Sequence, residues 1–131
     1  MTRKMILSAV LVAALGTTGV MAKGNTGNLL KLASKQETLS QNIVQAYKKQ
    51  DRGSSAIALI SALESGQMKL KSNIDNPEID YLLTYLKTCL NDLKTVVKKP
   101  YSTQNARLVG ELSASLSEGS RYIAKSLREN S

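Results

Sequence analysis

Histidine is absent from this chain of 131 residues, and neither tryptophan nor phenylalanine occurs. Without an imidazole there is no histidine ligand for haem or zinc, and no histidine base to activate a serine or cysteine nucleophile. Paired carboxylates do occur at Glu78 and Asp80, but they flank a predicted helix start, where acidic side chains favour the helix dipole. The sequence therefore predicts a protein that is not an enzyme and that holds no cofactor and no metal.

Cysteine is nearly absent too, since Cys89 is the only one. A single cysteine excludes an intramolecular disulfide. Cys89 lies in the apolar run YLLTYLKTCLNDL, where we expect it to be a small buried hydrophobic residue. An intermolecular bridge in an oxidising compartment is the alternative.

Long apolar runs are confined to the amino terminus, which reads as an export signal. Arg3 and Lys4 form a basic start, residues 5–15 are almost continuously apolar, and Val20-Met21-Ala22 supplies small residues at the positions that a signal peptidase requires. Interruption by residues 16–19 makes this run short for a membrane-spanning helix. We therefore predict a signal peptide over residues 1–22, cleavage after Ala22, and a periplasmic or secreted product.

Acidic residues are in the minority, and the formal net charge is +8. Removal of residues 1–22 takes away Arg3 and Lys4 but no acidic residue, so the charge falls to +6. The remaining basic residues are spread along the chain and aromatic residues are few, which is typical of a solvated cationic surface. Together with export, this pattern predicts that nucleic acid is not a partner.

The remaining 109 residues suffice for one domain, residues 23–131, with a core of its own. Four amphipathic segments with apolar residues at steps of three and four are separated by short breaks, and no segment alternates as a strand does. The breaks contain Gly53, Asn76-Pro77 and Pro100, each a turn or helix-boundary residue. We therefore predict an all-α protein, an antiparallel up-down-up-down four-helix bundle after a cleaved signal peptide.

The first of these helices, LLKLASKQETLSQNIVQAY over Leu29 to Tyr47, has polar residues on its apolar seam. Gln36 occupies a seam position where an apolar residue is expected, and Ser40 lies one turn further along. The helix also carries residues in a characteristic order: Ala33-Ser34-Lys35-Gln36, Leu39-Ser40-Gln41, Ile43 and Ala46-Tyr47.

That order resembles the first helix of the PilJ-type sensory domain. This domain is the periplasmic four-helix bundle at the N-terminus of type IV pilus methyl-accepting chemotaxis transducers, and it is related to the sensor domain of nitrate/nitrite sensor kinases such as NarX. The resemblance implies a ligand-sensing bundle in signal transduction. Carried onto matching positions, it implies a ligand-binding site at Lys35, Gln36, Glu37, Ser40 and Gln41.

The chain departs from the family pattern at Glu37, where the nitrate-sensing relatives place an arginine that clamps the oxyanion between paired helices of a dimer. A carboxylate repels nitrate and cannot donate the paired hydrogen bonds of a guanidinium. Lys35 lies two residues away, on a different side of the helix. We therefore expect weak nitrate and nitrite binding or none, and a different, neutral or cationic ligand or none at all.

Two functions of different classes remain open. The first is an exported stand-alone sensory module that binds a small ligand and acts through a membrane-bound transducer or as a homodimer. The alternative is a structural or interaction protein of the cell envelope with no small-molecule ligand, in which Gln36 and Ser40 only set the register of the bundle. A pocket with apolar walls around polar groups favours the first, and a continuous exposed apolar patch favours the second.

Overall fold

The computed structural model describes residues 21–22, 26–49 and 53–129, with side chains from residue 27 onward. Four helices account for nearly all of this part of the chain, and the fold class is all-α. The helices are α1 (Thr26–Lys48), α2 (Ser54–Asn73), α3 (Pro77–Val97) and α4 (Thr103–Glu129). The prediction of four helices is confirmed; the predicted signal peptide lies, apart from its last two residues, outside the described residues.

The helix boundaries follow from the chemistry of a few residues. Before α3, the Asn76 side-chain oxygen accepts hydrogen bonds from the backbone N–H groups of Glu78 and Ile79 at 3.0 and 3.1 Å. These bonds satisfy two of the donors that a helix start leaves open, and Pro77 lacks the third. Before α4, the Ser102 hydroxyl accepts from the Asn105 N–H at 3.0 Å in the same manner.

Gly53 makes the turn into α2 with a φ of 80°, a conformation that costs residues with a Cβ about 1–2 kcal/mol. A Cβ at this position would also overlap the backbone carbonyl oxygen of Val97 at the end of α3. Glycine is therefore required here both for its backbone angle and for the close approach of the two segments.

One apolar core joins all four helices, and most seam residues are buried in it, whereas Leu32 and Leu39 of α1 are only partly buried against it. The largest fully buried side chains are Ile43, Ile60, Leu63, Leu70, Ile79, Leu82, Leu86, Leu90, Leu93, Leu112, Leu116 and Ile123. Each contributes on the order of 1.5–3 kcal/mol by leaving water, so this core dominates the stability. Cys89 belongs to it with 2% of its surface exposed, as expected for a small hydrophobic residue.

Each helix packs against the next one in sequence, and α1 also packs against α4. The α1–α4 contact is the most extensive of the four, and the α2–α3 contact is the least. Gly119 allows α4 to approach α3 closely, because a Cβ there would lie 2.8 Å from both terminal methyl carbons of Leu86.

A short backbone pairing was not expected from the sequence. Two-residue strands β1 (Met21–Ala22) and β2 (Ile74–Asp75) pair antiparallel, with Met21 opposite Asp75 and Ala22 opposite Ile74. Ile74 is extended because α2 has ended and the Asn76-Pro77 boundary follows. Cleavage after Ala22, as predicted from the sequence, would remove β1 and with it this pairing.

Candidate ligand-binding site

Gln36 is buried in the core of the bundle and is 1% exposed. Its amide nitrogen lies against Gly66 of α2, where any Cβ would overlap it. Its amide oxygen has no hydrogen-bond partner in the described part of the chain. An unsatisfied buried acceptor destabilises the folded state by about 1–3 kcal/mol, so Gln36 lowers the stability of the bundle at this seam position.

Ser40 lies one turn further along α1 and is completely buried. Its hydroxyl donates to the backbone oxygen of Gln36 at 2.7 Å. This bond stays within one helix and uses the only proton that the side chain can donate. Ser40 can therefore only accept a hydrogen bond from a ligand.

The other three predicted site residues lie at the surface. The side chain of Lys35 is exposed, Glu37 accepts from Arg121 of α4 with an Nε–Oε2 distance of 2.7 Å, and the Gln41 amide nitrogen lies 3.4 Å from the Ser117 hydroxyl. The structure thus brings Glu37 and Gln41 to α4, and Gln36 to α2.

A ligand-sized groove of about 360 Å³ lies elsewhere, between α2 and α3. Its volume is within the range of about 300–1,000 Å³ that is usual for small-molecule sites. None of the five predicted site residues lines it. The lining residues are Glu64, Gln67, Met68, Lys71, Leu83, Thr84, Lys87 and Leu90.

Gln67 is the buried polar residue of this groove, with 6% of its surface exposed. Its amide nitrogen has no hydrogen-bond partner among the residues that the structure describes. Gln67 follows Gly66, the residue that packs on Gln36, so the two buried glutamines lie near one level of the bundle. The amide oxygen of Gln36 and the amide nitrogen of Gln67 both lack a hydrogen-bond partner among the described residues.

The unpaired charged side chains around the groove are positive. Lys71 of α2 and Lys87 of α3 form no ion pair with a described residue, whereas Glu64 is paired with Lys94. The acidic lining residue is therefore neutralised by a neighbouring lysine, and the groove presents a net positive field to a ligand.

The sequence contained a signal for Gln67 that the prediction of site residues did not use. Gln67 occupies a seam position of the second apolar repeat, as Gln36 does in the first. The two residues share one pattern, a glutamine at a core position of a helix.

Among the described residues, Tyr122 has a clearly shifted pKa. Burial raises the pKa of the Tyr122 hydroxyl above 10.0, an increase to which Glu78 and Glu129 add and which a hydrogen bond with Ser126 opposes. Tyr122 does not line the groove, and its hydroxyl is protonated at neutral pH.

Within residues 21–22, 26–49 and 53–129, no three acidic or cysteine side chains come together as metal ligands. None of the described helices has the length and apolarity needed to cross a membrane. No protein-family model, curated protein or solved structure matches the chain.

Proposed function

We propose that this chain is an exported sensory-type helical module that binds a small ligand and acts through a membrane-bound transducer or as a homodimer. The observation that carries the proposal is Gln67, a buried amide whose nitrogen lacks a partner and which lines a ligand-sized groove. Because buried donors in native proteins are nearly always satisfied, a missing partner at a groove points to a ligand atom.

The proposal includes an up-and-down arrangement of the four helices. Glu37 contacts Arg121, whereas Gln41, further along α1, contacts Ser117, which lies earlier in α4. Contacts that advance along one helix and retreat along the other support antiparallel neighbours. The short connections between α2, α3 and α4 support the same topology.

The proposed relationship to PilJ-type domains rests on the residue order in α1. In this protein the family's oxyanion-clamping position is Glu37, which is bound to the guanidinium of Arg121. Nitrate would have to displace a carboxylate from that guanidinium, so we expect the native protein to bind nitrate and nitrite weakly or not at all.

Replacing Glu37→Arg tests this interpretation, because it would place a second guanidinium beside Arg121. We expect the variant to gain nitrate affinity, since a charged hydrogen bond is worth about 1.5–3 kcal/mol. Calorimetric titration of both proteins measures the gain, with Glu37→Gln as the control that removes the carboxylate without adding a donor. Tight nitrate binding by the native protein would show that the motif is wrongly aligned.

Export is part of the proposal, with a mature chain that begins at Lys23. Intact mass of the protein from the periplasmic fraction decides this, since retention of residues 1–22 would mean an anchored protein. The basic residues are spread along the chain, aromatic residues are few and export separates the protein from nucleic acid, so the proposal includes no nucleic-acid partner and no catalytic step.

The structural alternative predicts a continuous exposed apolar patch. The exposed large apolar side chains of the described residues are Met68, Tyr81 and Tyr101. Met68 lines the groove, and Tyr101 packs against the ring of Tyr47 with centroids 5.4 Å apart. Tyr81 neither lines the groove nor makes such a ring contact. Exposed side chains in such different surroundings favour a ligand-binding module over a continuous apolar docking surface.

A thermal-shift screen tests the function. A ligand that binds only the native state raises the melting temperature, by an amount that grows with its concentration relative to Kd. We expect a hit in a panel of small anions, amines and amino acids applied to the exported protein. If no compound stabilises the protein, and sedimentation shows a monomer throughout, the structural alternative replaces the proposal.

A further inference from the structure

We infer that the α2–α3 groove binds a small amphipathic carboxylate, whose head group contacts Gln67 and two lysines and whose apolar tail lies against Leu83 and Leu90. This inference rests on the proposed function and adds the chemical class of the ligand. It departs from the expectation of a neutral or cationic ligand that the sequence alone suggested.

The hydrogen-bonding capacity of Gln67 sets the first requirement. Its buried amide nitrogen is a donor without a partner, so the ligand atom nearest to it must be an acceptor. A carboxylate oxygen is favoured over a neutral acceptor because charged hydrogen bonds are shorter and roughly twice as strong.

The lysines set the second requirement. Lys71 and Lys87 approach the groove from α2 and α3 respectively, and neither is neutralised by a described acidic residue. Glu64, which would repel an anion, is held by Lys94. A cationic amine would therefore meet two positive charges of like sign, whereas a carboxylate meets two counter-charges.

The apolar walls set the third requirement. Leu83 and Leu90 are 3% and 0% exposed, and both line the groove. Met68 at its rim is 72% exposed, a flexible apolar side chain that can close over a bound tail.

A volume of about 360 Å³ holds about twelve groups of the size of water, which have about 30 Å³ each. Decanoate, with ten carbons and two oxygens, is the matching probe (about twelve heavy atoms).

The experiment uses protein purified after export from cells that express the full chain. Calorimetry and thermal shift are measured with decanoate, with decyltrimethylammonium (the same tail with a cationic head) and with acetate (the head without a tail), all below micelle formation. The variants are Gln67→Met, which keeps the length and removes the donor, Lys71→Gln and Lys87→Gln. Lys69→Gln, an exposed lysine of α2 that does not line the groove, is the matched control.

We expect decanoate to bind, acetate to bind much more weakly, and decyltrimethylammonium not to bind. Gln67→Met should weaken decanoate binding by at least about tenfold, the equivalent of one charged hydrogen bond. Each groove lysine should contribute up to about fivefold, as exposed ion pairs do. Lys69→Gln should leave the affinity unchanged, and Gln67→Met should raise the melting temperature of the ligand-free protein.

Other results separate the two proposals. If decyltrimethylammonium binds as well as decanoate, or if another compound of the thermal-shift panel binds and decanoate does not, the ligand class is wrong and the proposed function stands. Decanoate binding that none of the three groove variants weakens would overturn the assignment of the site. If neither decanoate nor any panel compound binds, both the inference and the proposed function fail.

Discussion

The α1–α4 seam and the α2–α3 seam lie on opposite sides of the bundle and differ in the size of their side chains. The α4 side of the first carries small buried residues: Ser113, Ser117, Ser120 and Ala124. They recur at steps of three and four, which places them on one face. The second seam presents long side chains, with two lysines, a methionine and a glutamine around an open groove.

This difference explains where a groove of ligand size forms. Small side chains let two helix backbones approach closely, so the α1–α4 contact is extensive. Long side chains line the α2–α3 seam, whose helix contact is the least extensive of the four, although Gly53 brings the start of α2 close to the end of α3. The first helix therefore lies in the more extensive contact, and the described groove lies in the other seam.

The largest effect on the free energy of unfolding is expected when a bulky residue is placed in the α1–α4 seam. The same kind of substitution in the α2–α3 seam should have little effect. Ser117→Leu should destabilise the protein by about 1–3 kcal/mol, because the close α1–α4 contact has no room for the added carbons. Thr84→Leu, at the exposed edge of the groove, should change the free energy of unfolding by less than about 0.5 kcal/mol. Urea denaturation of both variants measures the difference. Equal destabilisation by the two substitutions would mean that the seams are packed alike.

A second, smaller effect concerns the buried glutamine of α1. Gln36→Met keeps the length of the side chain and removes an acceptor without a partner, so we expect a gain of about 1 kcal/mol in the free energy of unfolding. Gln45→Met, at an exposed position of the same helix, is the control and should be nearly neutral. A loss of stability or of a single cooperative transition would instead assign Gln36 a role in setting the register of the bundle.

The smallest effect is expected from the two ion pairs that join helices in the described part of the chain. Glu37–Arg121 joins α1 to α4, and Glu64–Lys94 joins α2 to α3. The Arg121 side chain is 60% exposed and that of Lys94 is 39% exposed, so water screens both pairs. Double-mutant cycles with glutamine at each position should give coupling energies below about 1 kcal/mol that decrease further at high salt. A coupling energy well above that value would mean that the ion pair contributes substantially to the stability of its seam.

Much of the fold could be predicted because it depends on local chemistry. The Asn76 cap, the proline that follows it and the Ser102 cap act within three residues of their own positions, so their pattern in the sequence is sufficient. Apolar residues at steps of three and four likewise mark the buried face of a helix whatever it packs against. The expected helices and the burial of Cys89 follow from this.

The candidate site could not be predicted in the same way, since it depends on which helices become neighbours. Glu37 meets Arg121 across 84 residues, and no local pattern indicates this pair. The sequence shows Gln36 and Gln67 alike as polar residues on apolar seams. That Gln36 packs against Gly66 and that Gln67 lines the groove depends on packing.

The sequence by itself determined that the chain forms four amphipathic helices with buried glutamines at two seam positions, because helix periodicity and capping are properties of neighbouring residues. Only the tertiary structure decided that one glutamine is enclosed beneath Gly66 and that the other lines a groove. The physical reason is that the space between two helices depends on the side chains that both of them contribute. Those side chains are brought together by folding and are far apart in the sequence.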